Sequence, residues 1–398
     1  MSTIVVGAGQ AGLSLVARLR AGGERGPITL IGEEADPPYQ RPPLSKGYLT
    51  GEMARERLWL RPPGWYEENA IDLRLGARVT AVSPTERTVT VGGDRIGWDR
   101  LALTTGAIPR HLPANRGGDL EGVFTIRTLG DVDAMAPFLR EGASAVIVGG
   151  GYIGLEAAAV CRKAGMAVTV LEMAQRILSR VAAPETAAWF RELHRAHGVT
   201  IREEMGLDRL VGEGRVRAAR LTDGTEIAAD LVIAGIGIVP DAALAATAGL
   251  MTEDGIDVDA RGRTALEGVW AAGDCARLPW RGRRVRLESV QNAIEQAEAV
   301  ADDMLGRGTD YDPVPWFWSD QYDTKLQIAG LSAGYDAVHV REAGDARSHW
   351  YYRGDELIAV DAMNAPRDYM VGKRLLEAGR SPDPGALGAE DLKPLLRG

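Results

Sequence analysis

The sequence predicts an α/β protein with two doubly wound parallel sheets and a small α+β domain at its C-terminus. Two glycine-rich loops, GAGQAG after STIVV and GGGYIG after ASAVIV, each stand between a strand pattern and a helix pattern. Each combination predicts a separate βαβ unit. From about residue 311 the composition changes to runs such as WFWSDQYDTKLQIAGL, whose aromatic and β-branched residues favour strands.

The first βαβ pattern covers residues 3–31, with strand TIVV, helix LSLVARLRAGG and strand ITLIG. In its loop, we expect Gly7 to allow the tight turn and Gly9 to let a pyrophosphate approach the backbone, while Gly12 allows close packing of helix and strand. Glu33 follows the second strand, where an acid typically binds ribose hydroxyls. The pattern therefore predicts a dinucleotide site.

The second pattern covers residues 145–171 and is equally complete, with Gly149, Gly151 and Gly154 in the loop. Glu172 ends its second strand. A carboxylate there accepts hydrogen bonds from a free 2′-hydroxyl and repels a 2′-phosphate, so the sequence favours NADH over NADPH.

Two dinucleotide sites in one chain indicate an electron relay, because a simple dehydrogenase needs only one. Hydride from NADH requires an acceptor in the other site, and a flavin dinucleotide can accept it. Arg176, four residues beyond Glu172, leaves contact with a 2′-phosphate open as an alternative to its interpretation as a solvated side chain.

The segments outside these units carry weaker patterns. Consecutive prolines in PPYQRPPLSKGYL exclude a helix in its first half, so we expect a long ordered loop leading into a helix. The stretch VRAARLTDGTEIAADLVIAGIG predicts a meander that returns to a sheet, and TALEGVWAAGDCA predicts a buried strand ending at Gly273 and Asp274. The end of the chain, SPDPGALGAEDLKPLLRG, has the composition of a loose tail.

Composition limits the function classes. The 398 residues are 45% hydrophobic and 25% charged, as in globular proteins of two or three domains. A net charge of -9 and a pI near 5.3 argue against nucleic acid as a partner. The longest apolar stretch, residues 143–160, includes Glu156, which argues against a membrane span. Because no signal pattern precedes the first strand, we expect a cytoplasmic protein.

Five motifs in this order resemble the FAD-dependent, NADH-using ferredoxin reductases of bacterial cytochrome P450 and aromatic-ring dioxygenase systems. They are PYQRPPLSKGYL, VIVGGGYIGLEAAA, VWAAGDC, ESVQNAIEQA and PWFWSDQY. The resemblance implies a glutathione-reductase-like architecture with FAD and NADH as cofactors and no metal. Its domains would be an FAD-binding domain in two segments (1–108 and 237–312), an inserted NAD-binding domain (109–236) and a C-terminal domain (313–398).

The resemblance also implies residue roles near the flavin. Lys46 in LSKGYL and Glu156 in YIGLE would form a pair near the flavin's reactive nitrogen. The lysine would favour the anionic charge of reduced flavin, and the carboxylate would offset it in the oxidised state. Trp318 in PWFWSDQY would lie between flavin and a docked iron-sulfur protein, and Tyr152 would cover the flavin and move when nicotinamide arrives.

Further FAD contacts follow from the same likeness. Arg127 in FTIRTL would contact the pyrophosphate, and Asp274 in AAGDC would accept from a ribityl hydroxyl. Val290 in ESVQNA would offer its backbone to the isoalloxazine ring, and Val79 in ARVTAV would offer its backbone to the adenine.

The acceptor follows partly from the cysteines. Cys161 and Cys275 are far apart in sequence and form no Cys-x-x-Cys motif, which argues against a disulfide as acceptor and fits a reducing compartment. The leading hypothesis is a reductase that passes single electrons to a [2Fe-2S] ferredoxin supplying a P450 or a ring-hydroxylating oxygenase. An acidic ferredoxin needs a local positive face, for which the candidates are Arg281, Arg283, Arg284 and Arg286, with Arg277 just before them. Trp318 is a further candidate for the docking site. The alternatives are another acceptor (rubredoxin, quinone or oxygen) and an interaction flavoprotein resembling apoptosis-inducing factor.

Overall fold

The computed structural model describes residues 1–252 and 254–397. This part of the chain forms two compact units, each assembled from three sequence segments. Unit 1 consists of Met1–Gln40, Arg55–Ile108 and Ile238–Pro313, and unit 2 consists of Arg41–Ala54, Pro109–Gly237 and the residues from Val314 onward. Residue 398, where the predicted C-terminal domain ends, lies outside the described residues, and the boundaries of the four predicted segments stay a prediction.

Helices and 3-10 turns alternate with strands along both units. The helices are α1 (Gln10–Ala21), α2 (Gly64–Glu68), α3 (Leu129–Met135), α4 (Tyr152–Lys163), α5 (Pro184–Ala196), α6 (Ala243–Thr247), α7 (Val290–Met304) and α8 (Pro366–Glu377). The 3-10 turns are Pro42–Ser45, Arg55–Leu58, Ala114–Arg116, Ala136–Phe138, Pro384–Gly388 and Lys393–Arg397.

Most strands in the first 300 residues are short, apart from two strands of 7 residues, and the five strands near the C-terminus have 6 to 8 residues. Up to Val148 they are β1 (Thr3–Val6), β2 (Ile28–Ile31), β3 (Ile71–Arg74), β4 (Val79–Ser83), β5 (Thr88–Val91), β6 (Asp94–Gly97), β7 (Arg100–Leu103), β8 (Ala107–Pro109), β9 (Val123–Phe124) and β10 (Ser144–Val148). Next come β11 (Ala167–Leu171), β12 (Thr200–Arg202), β13 (Leu207–Glu213), β14 (Arg215–Leu221), β15 (Glu226–Ala228), β16 (Leu231–Ala234), β17 (Ile238–Pro240), β18 (Met251–Thr252) and β19 (Gly255–Asp257). The last are β20 (Val269–Ala271), β21 (Ala276–Trp280), β22 (Arg283–Val285), β23 (Trp316–Gln321), β24 (Thr324–Gly330), β25 (Ala337–Ala343), β26 (Ala346–Arg353) and β27 (Glu356–Met363).

A parallel sheet with strand order β20-β7-β1-β2-β3 forms the centre of unit 1. Helix α1 connects β1 to β2 and packs on the sheet and on α7, because Leu15, Val16 and Leu19 on its inner face are fully buried beside Val300 and Ala301. The first predicted βαβ unit is therefore confirmed. Since all strands are parallel, their carboxyl ends meet at one edge, which is where ligands bind in such sheets.

A second parallel sheet, ordered β12-β11-β10-β16-β9, forms the centre of one part of unit 2. Helix α4 connects β10 to β11, which confirms the second predicted βαβ unit. The antiparallel strands β13, β14 and β15 form the expected meander, after which β16 returns to the parallel sheet. The β20 strand that precedes Gly273 and Asp274 is likewise present, in unit 1.

The C-terminal part of unit 2 is an antiparallel sheet, ordered β23-β24-β27-β26-β25 and covered by α8. Tyr369, Leu375 and Leu376 of α8 are buried against Trp350 and Val360 of the sheet. The predicted fold class, two doubly wound domains with a small α+β domain, is confirmed.

The expectation of a loose C-terminal tail is wrong for the described residues. Leu387 and Leu392 are buried in the same core as α8. Arg341 donates to the carbonyls of Leu387, at 2.8 Å, and Glu390, at 2.7 Å. The composition is rich in Pro, Gly and Asp, so it gave no sign that two leucines would reach a core built by strands distant in sequence.

The proline-rich segment is an ordered loop, as expected, but it leads into 3-10 turns, and the next α-helix begins only at Gly64. Its residues Arg41–Ala54 pack within unit 2, whereas the domain prediction assigned them with residues 1–108. The cause is a set of side-chain bonds formed within unit 2, including one from Tyr48 Oη to Asp133 Oδ1 at 2.6 Å.

Candidate dinucleotide and redox site

The loop between β1 and α1 has a different steric requirement at each of its three glycines. Gly7 has a φ of 112°, and a Cβ there would lie 2.2 Å from the carbonyl oxygen of Thr104. A Cβ at Gly12 would lie 2.0 Å from the carbonyl oxygen of Gly7. No described atom, by contrast, lies within 4 Å of a Cβ placed at Gly9. The space beside Gly9 and the amino end of α1 therefore fits a pyrophosphate that approaches the backbone closely.

Two predicted acids lie at the same edge of the unit 1 sheet. Glu33 follows β2, and its Oε1 accepts from Nη1 of Arg78 at 2.7 Å, with both side chains exposed. Asp274 follows β20 directly after Gly273, where a Cβ would lie 3.1 Å from Cβ of Ala11 in α1. Both acids thus stand near the first glycine loop, while their roles toward ribose and ribityl hydroxyls stay predictions.

The two predicted backbone contacts are in unit 1. Val79 is the first residue of β4, with its side chain in the core. Val290 is the first residue of α7, whose N-cap Ser289 accepts at Oγ from the backbone N–H of Asn292 at 3.1 Å. Backbone N–H groups of a first helical turn have no intrahelical acceptor, so a ligand can bind them. The structure tests neither contact.

The loop between β10 and α4 repeats the geometry of the first. Gly149 has a φ of 106°, and a Cβ there would lie 2.3 Å from the carbonyl oxygen of Gly235. A Cβ at Gly154 would lie 2.1 Å from the carbonyl oxygen of Gly149. The middle glycine, Gly151, again has no described atom within 4 Å of its Cβ position. The second loop therefore also fits a pyrophosphate.

Glu172 is held against this loop by its carboxylate. Its Oε2 accepts from the backbone N–H of Gly150 and its Oε1 from that of Ala174, both at 2.8 Å. A nucleotide bound on the loop would meet a negative charge fixed in place. Arg176, the alternative phosphate contact, instead approaches the carbonyl oxygen of Ile177 at 3.4 Å.

Tyr152 begins α4, and its ring packs on Phe317 with the centroids 4.6 Å apart. Its hydroxyl donates to the carbonyl of Val181 at 3.3 Å. Burial raises the pKa of Tyr152 well above its usual value, so the phenol is neutral at physiological pH. The prediction that this ring covers the flavin is not tested by the structure.

Lys46 and Glu156, 110 residues apart in sequence, form an ion pair of 2.7 Å between Nζ and Oε2. Glu156 is 3% exposed and projects from α4, while Lys46 caps the 3-10 turn Pro42–Ser45 and keeps 22% of its side chain exposed. The arrangement presents a cation with a buried counter-charge behind it. The predicted pairing is therefore present in the structure, while its role toward flavin stays a prediction.

Two serines that the sequence analysis missed also bind Glu156. Ser45 Oγ donates to Oε2 at 2.6 Å, and Ser319 Oγ donates to Oε1 at 2.7 Å. The sequence indicated these two serines only weakly, because each is adjacent to a predicted site residue: Ser45 precedes Lys46, and Ser319 follows Trp318. Only the packing of both β23 and the 3-10 turn Pro42–Ser45 on α4 shows that both hydroxyls reach one carboxylate.

Trp318 lies on β23 beside Trp316, with ring centroids 5.8 Å apart, and both are half-buried. Residues two apart on a strand share a face. Phe317 and Ser319 consequently point to the opposite face, where they contact Tyr152 and Glu156.

Arg127 lies in unit 2, directly before Thr128, the N-cap of α3. Its backbone N–H donates to Asp131 Oδ2 at 3.0 Å, and its carbonyl accepts from Arg41. Its proposed contact with the FAD pyrophosphate stays a prediction.

The predicted positive face surrounds the β21–β22 hairpin of unit 1. Arg281 and Arg283 lie over the Trp280 ring, 4.9 and 5.2 Å from its centroid. The others pair with carboxylates: Arg277 and Arg284 with Asp257, and Arg286 with Asp254 and Glu288. The net positive charge of this hairpin is therefore smaller than the count of arginines indicates.

Both cysteines are buried, and burial raises the pKa of Cys161 to about 12. Histidine, cysteine and carboxylate side chains in residues 1–252 and 254–397 form no group of three that could hold a metal ion. None of the helices in the described part of the chain has the length and apolarity of a membrane span.

Two family models match this chain. Residues 1–297 match the pyridine nucleotide-disulphide oxidoreductase model, and residues 316–396 match the model described as reductase C-terminal.

This chain is similar in sequence to known proteins over nearly its whole length. A 5,5′-dehydrodivanillate O-demethylase ferredoxin reductase subunit of Sphingobium sp. is 43% identical over 98% of this chain and 96% of its own. Putidaredoxin reductase CamA of Pseudomonas putida is 40% identical over 98% of this chain and 95% of its own. In the crystal structure of the covalent putidaredoxin reductase–putidaredoxin complex, the matched chain has a TM-score of 0.95 and 39% identity, covering 98% of this chain and 96% of that one.

Proposed function

Since this chain belongs to the pyridine nucleotide-disulphide oxidoreductase family and, within it, to the ferredoxin reductases, we propose that it transfers electrons from NADH singly to a [2Fe-2S] ferredoxin supplying a P450 or ring-hydroxylating oxygenase. Its cofactors are FAD and NAD(P)H. Bound FAD supplies the conversion of a two-electron hydride transfer into one-electron steps. The observation that carries the proposal is the second loop, open at its middle glycine, followed by a helix whose buried Glu156 pairs with Lys46.

The first glycine loop, with Glu33 and Asp274 at the same sheet edge, would hold FAD. The backbone of Gly9 and the amino end of α1 would bind the pyrophosphate, since no described side chain or backbone atom fills that space. Arg127, Val79 and Val290 remain proposed contacts to the pyrophosphate, the adenine and the isoalloxazine ring. The second loop, with Gly151 at its open point, would hold the nicotinamide dinucleotide.

Glu172 supports a preference for NADH over NADPH. Its two oxygens are held by backbone N–H groups, so the carboxylate cannot swing away from a 2′-phosphate without losing both bonds. A free 2′-hydroxyl can instead donate to the same carboxylate. The preference therefore rests on repulsion of the wrong cofactor as well as on attraction of the right one.

Lys46 would place a positive charge where reduced flavin carries negative charge, and Glu156 would offset that charge in the oxidised state. The pairing with Glu156 fixes the direction of the Lys46 side chain, whose three N–H donors otherwise rotate freely. The pair thus orients the Lys46 ammonium group, and the buried Glu156 carboxylate keeps a counter-charge.

A disulfide acceptor within the chain is not supported, because both cysteines are free and buried, and burial raises the pKa of each thiol. Their buried thiols also fit the proposed reducing, cytoplasmic location. For the external acceptor, we propose that the β21–β22 hairpin contributes positive charge through Arg281 and Arg283, and that Trp318 contributes a second contact.

Anaerobic mixing of the NADH-reduced holoenzyme with a purified [2Fe-2S] ferredoxin tests the proposal by following flavin reoxidation. We expect reoxidation that is fast and becomes slower as salt increases. Reoxidation by quinone, rubredoxin or oxygen but by no [2Fe-2S] ferredoxin would support the alternative acceptors instead. Absence of turnover with any acceptor would support an interaction flavoprotein.

Charge reversal tests the docking face. Charge reversal of one hairpin arginine, Arg281→Glu, is expected to raise the KM for ferredoxin and to reduce its salt dependence, with unchanged flavin reduction by NADH. Arg87→Glu is the matched control, because Arg87 also lies over a tryptophan of unit 1, Trp98, 5.6 Å from its centroid. An equal rise in KM for both variants would show an effect of net charge rather than of this hairpin.

A further inference from the structure

A continuous line of hydrogen bonds runs through the interior of unit 2 and ends on Glu156. It connects five side chains from α4, α5 and the β23–β24 hairpin: Tyr322, His194, Gln321, Ser319 and Glu156. The successive distances are 3.3 Å, 2.8 Å, 3.1 Å and 2.7 Å. His194, Gln321 and Ser319 are all fully buried, so water does not share these bonds.

The carboxylate fixes the direction of every bond in the line. Glu156 can only accept, so Ser319 donates its hydroxyl hydrogen and accepts from Nε2 of Gln321. The amide oxygen of Gln321 must then accept, which requires a proton on Nε2 of His194.

Burial lowers the pKa of His194 to about 4, so its ring is neutral near pH 7. Nδ1 is then free of a proton and accepts from the hydroxyl of Tyr322. Each of the four donor groups therefore donates to the next residue along the line in the direction of Glu156. Their aligned dipoles stabilise the negative charge of its carboxylate together.

The outer end of the line is also a specific arrangement. Tyr322 adopts a φ of 57°, which is rare for an aromatic residue, at the turn between β23 and β24. This conformation brings its ring onto His197, with centroids 3.7 Å apart, and its hydroxyl to His194. Strain of this kind persists only where surrounding contacts hold it.

The line shares β23 with Trp318. Ser319 and Gln321 project from the face of β23 that packs against α4 and α5, and Trp318 projects from the other face. The bond between Ser319 and Glu156 therefore fixes the strand that carries Trp318 to the helix that carries the counter-charge of Lys46.

We infer that Ser319, Gln321, His194 and Tyr322 are positioning residues of the redox site, which hold the Glu156 carboxylate in the orientation that pairs with Lys46. This inference rests on the proposed function, since it assigns a role to the Lys46–Glu156 pair in flavin reduction. The residues act through Glu156, on which their line of hydrogen bonds ends.

A double-mutant cycle separates this role from a structural one. Ser319→Ala in the holoenzyme is expected to lower the limiting rate of flavin reduction by NADH roughly tenfold with little change in the NADH dissociation constant, and to change that rate less than about twofold in a Glu156→Gln background. Ser348→Ala is the matched control, because Ser348 is equally buried in the same sheet but donates to Asp368 at 2.7 Å. Equal losses in both backgrounds would overturn the inference.

Reactivity of the Lys46 amine gives a second measurement that needs no turnover. Brief labelling with acetic anhydride, quantified by mass spectrometry, compares Lys46 with Lys163, an exposed lysine paired to Glu52 at 2.7 Å. Ser319→Ala is expected to raise the labelling ratio of Lys46 to Lys163 severalfold, because a loosened Glu156 holds the ammonium less firmly, while Ser348→Ala leaves the ratio unchanged. An unchanged ratio in Ser319→Ala would refute positioning.

Tyr322→Phe removes only the outermost donor and decides the matter if Ser319→Ala does not fold. Its expected effects on the reduction rate and on Lys46 labelling have the same direction and are smaller, and no effect on either would overturn the inference. Neither measurement uses ferredoxin. If ferredoxin fails to reoxidise the flavin, the proposed acceptor is wrong, but both of these results stay intact.

Discussion

Replacing the second and third glycines of the nucleotide loop one at a time should separate binding from folding. The two positions lie three residues apart at the start of α4, and both would receive the same methyl group in the variants Gly151→Ala and Gly154→Ala. A Cβ at Gly154 would lie 2.1 Å from the carbonyl oxygen of Gly149, against 3.4 Å for an ordinary contact. A Cβ at Gly151 meets no described atom within 4 Å.

The magnitudes follow from these distances. Relieving the overlap at Gly154 requires a shift of about 1 Å between helix and loop, and overpacking of this kind costs about 1–3 kcal/mol or more. Alanine gains back about 1 kcal/mol of helix propensity at a helical position. Because the overlap is with a backbone atom, the cost lies near the upper end of about 3 kcal/mol. We therefore expect Gly154→Ala to lose about 2 kcal/mol, or roughly 4–8 °C in Tm for a unit of this size.

Gly151→Ala should behave in the opposite way. Gly151 has a φ of -78°, which alanine adopts readily, so the loss of stability should stay within about 1 kcal/mol. The methyl group would occupy the space through which a pyrophosphate approaches, and we expect the Kd for NADH to rise at least about tenfold, or about 1.4 kcal/mol.

Thermal unfolding and anaerobic NADH titration of both variants measure these effects, with bound FAD as an internal control because we assign it to the other loop. Tight NADH binding by Gly151→Ala would refute the assignment of this loop to the nucleotide. A wild-type Tm for Gly154→Ala would refute the steric reasoning.

Three further predictions concern single side chains. Lys46→Met should slow flavin reduction by NADH more than about tenfold, because it removes the positive charge proposed to favour reduced flavin, and a wild-type rate in stopped-flow absorbance would remove the lysine from the mechanism. Glu172→Ala combined with Met173→Arg should shift the ratio of kcat/KM values toward NADPH, and unchanged discrimination would show that ribose is recognised elsewhere. Burial raises the pKa of Asp361 to about 6, from 3.8 for a solvated carboxyl, so the stability it contributes at low pH is lost as pH rises through about 6. The free energy of unfolding of Asp361→Asn, relative to that of the wild type, should therefore rise by up to about 3 kcal/mol from pH 4 to pH 8. A difference in denaturant unfolding that does not change with pH would contradict this.

The sequence alone was sufficient to predict those parts of the fold that depend on residues close together in the chain. The strand, glycine loop and helix at residues 3–31 and 145–171 predicted both parallel sheets, because loop geometry and amphipathic periodicity are properties of a short segment. The aromatic runs after residue 311 likewise predicted strands of the C-terminal domain. The pairing of Lys46 with Glu156 was available only through resemblance to a family, since 110 residues separate the two.

By itself, the sequence determined two glycine-rich loops and the absence of a Cys-x-x-Cys motif, and from them it predicted a flavin relay that has an external acceptor. Only the tertiary structure decided that Ser45, Ser319 and Lys46 meet on one carboxylate, that Gln321 and His194 continue the line behind it, and that Leu387 anchors the tail. The physical reason is that a buried charge must collect its donors from whichever elements pack around it, and those elements come together through burial of apolar faces that carry no information about their partners.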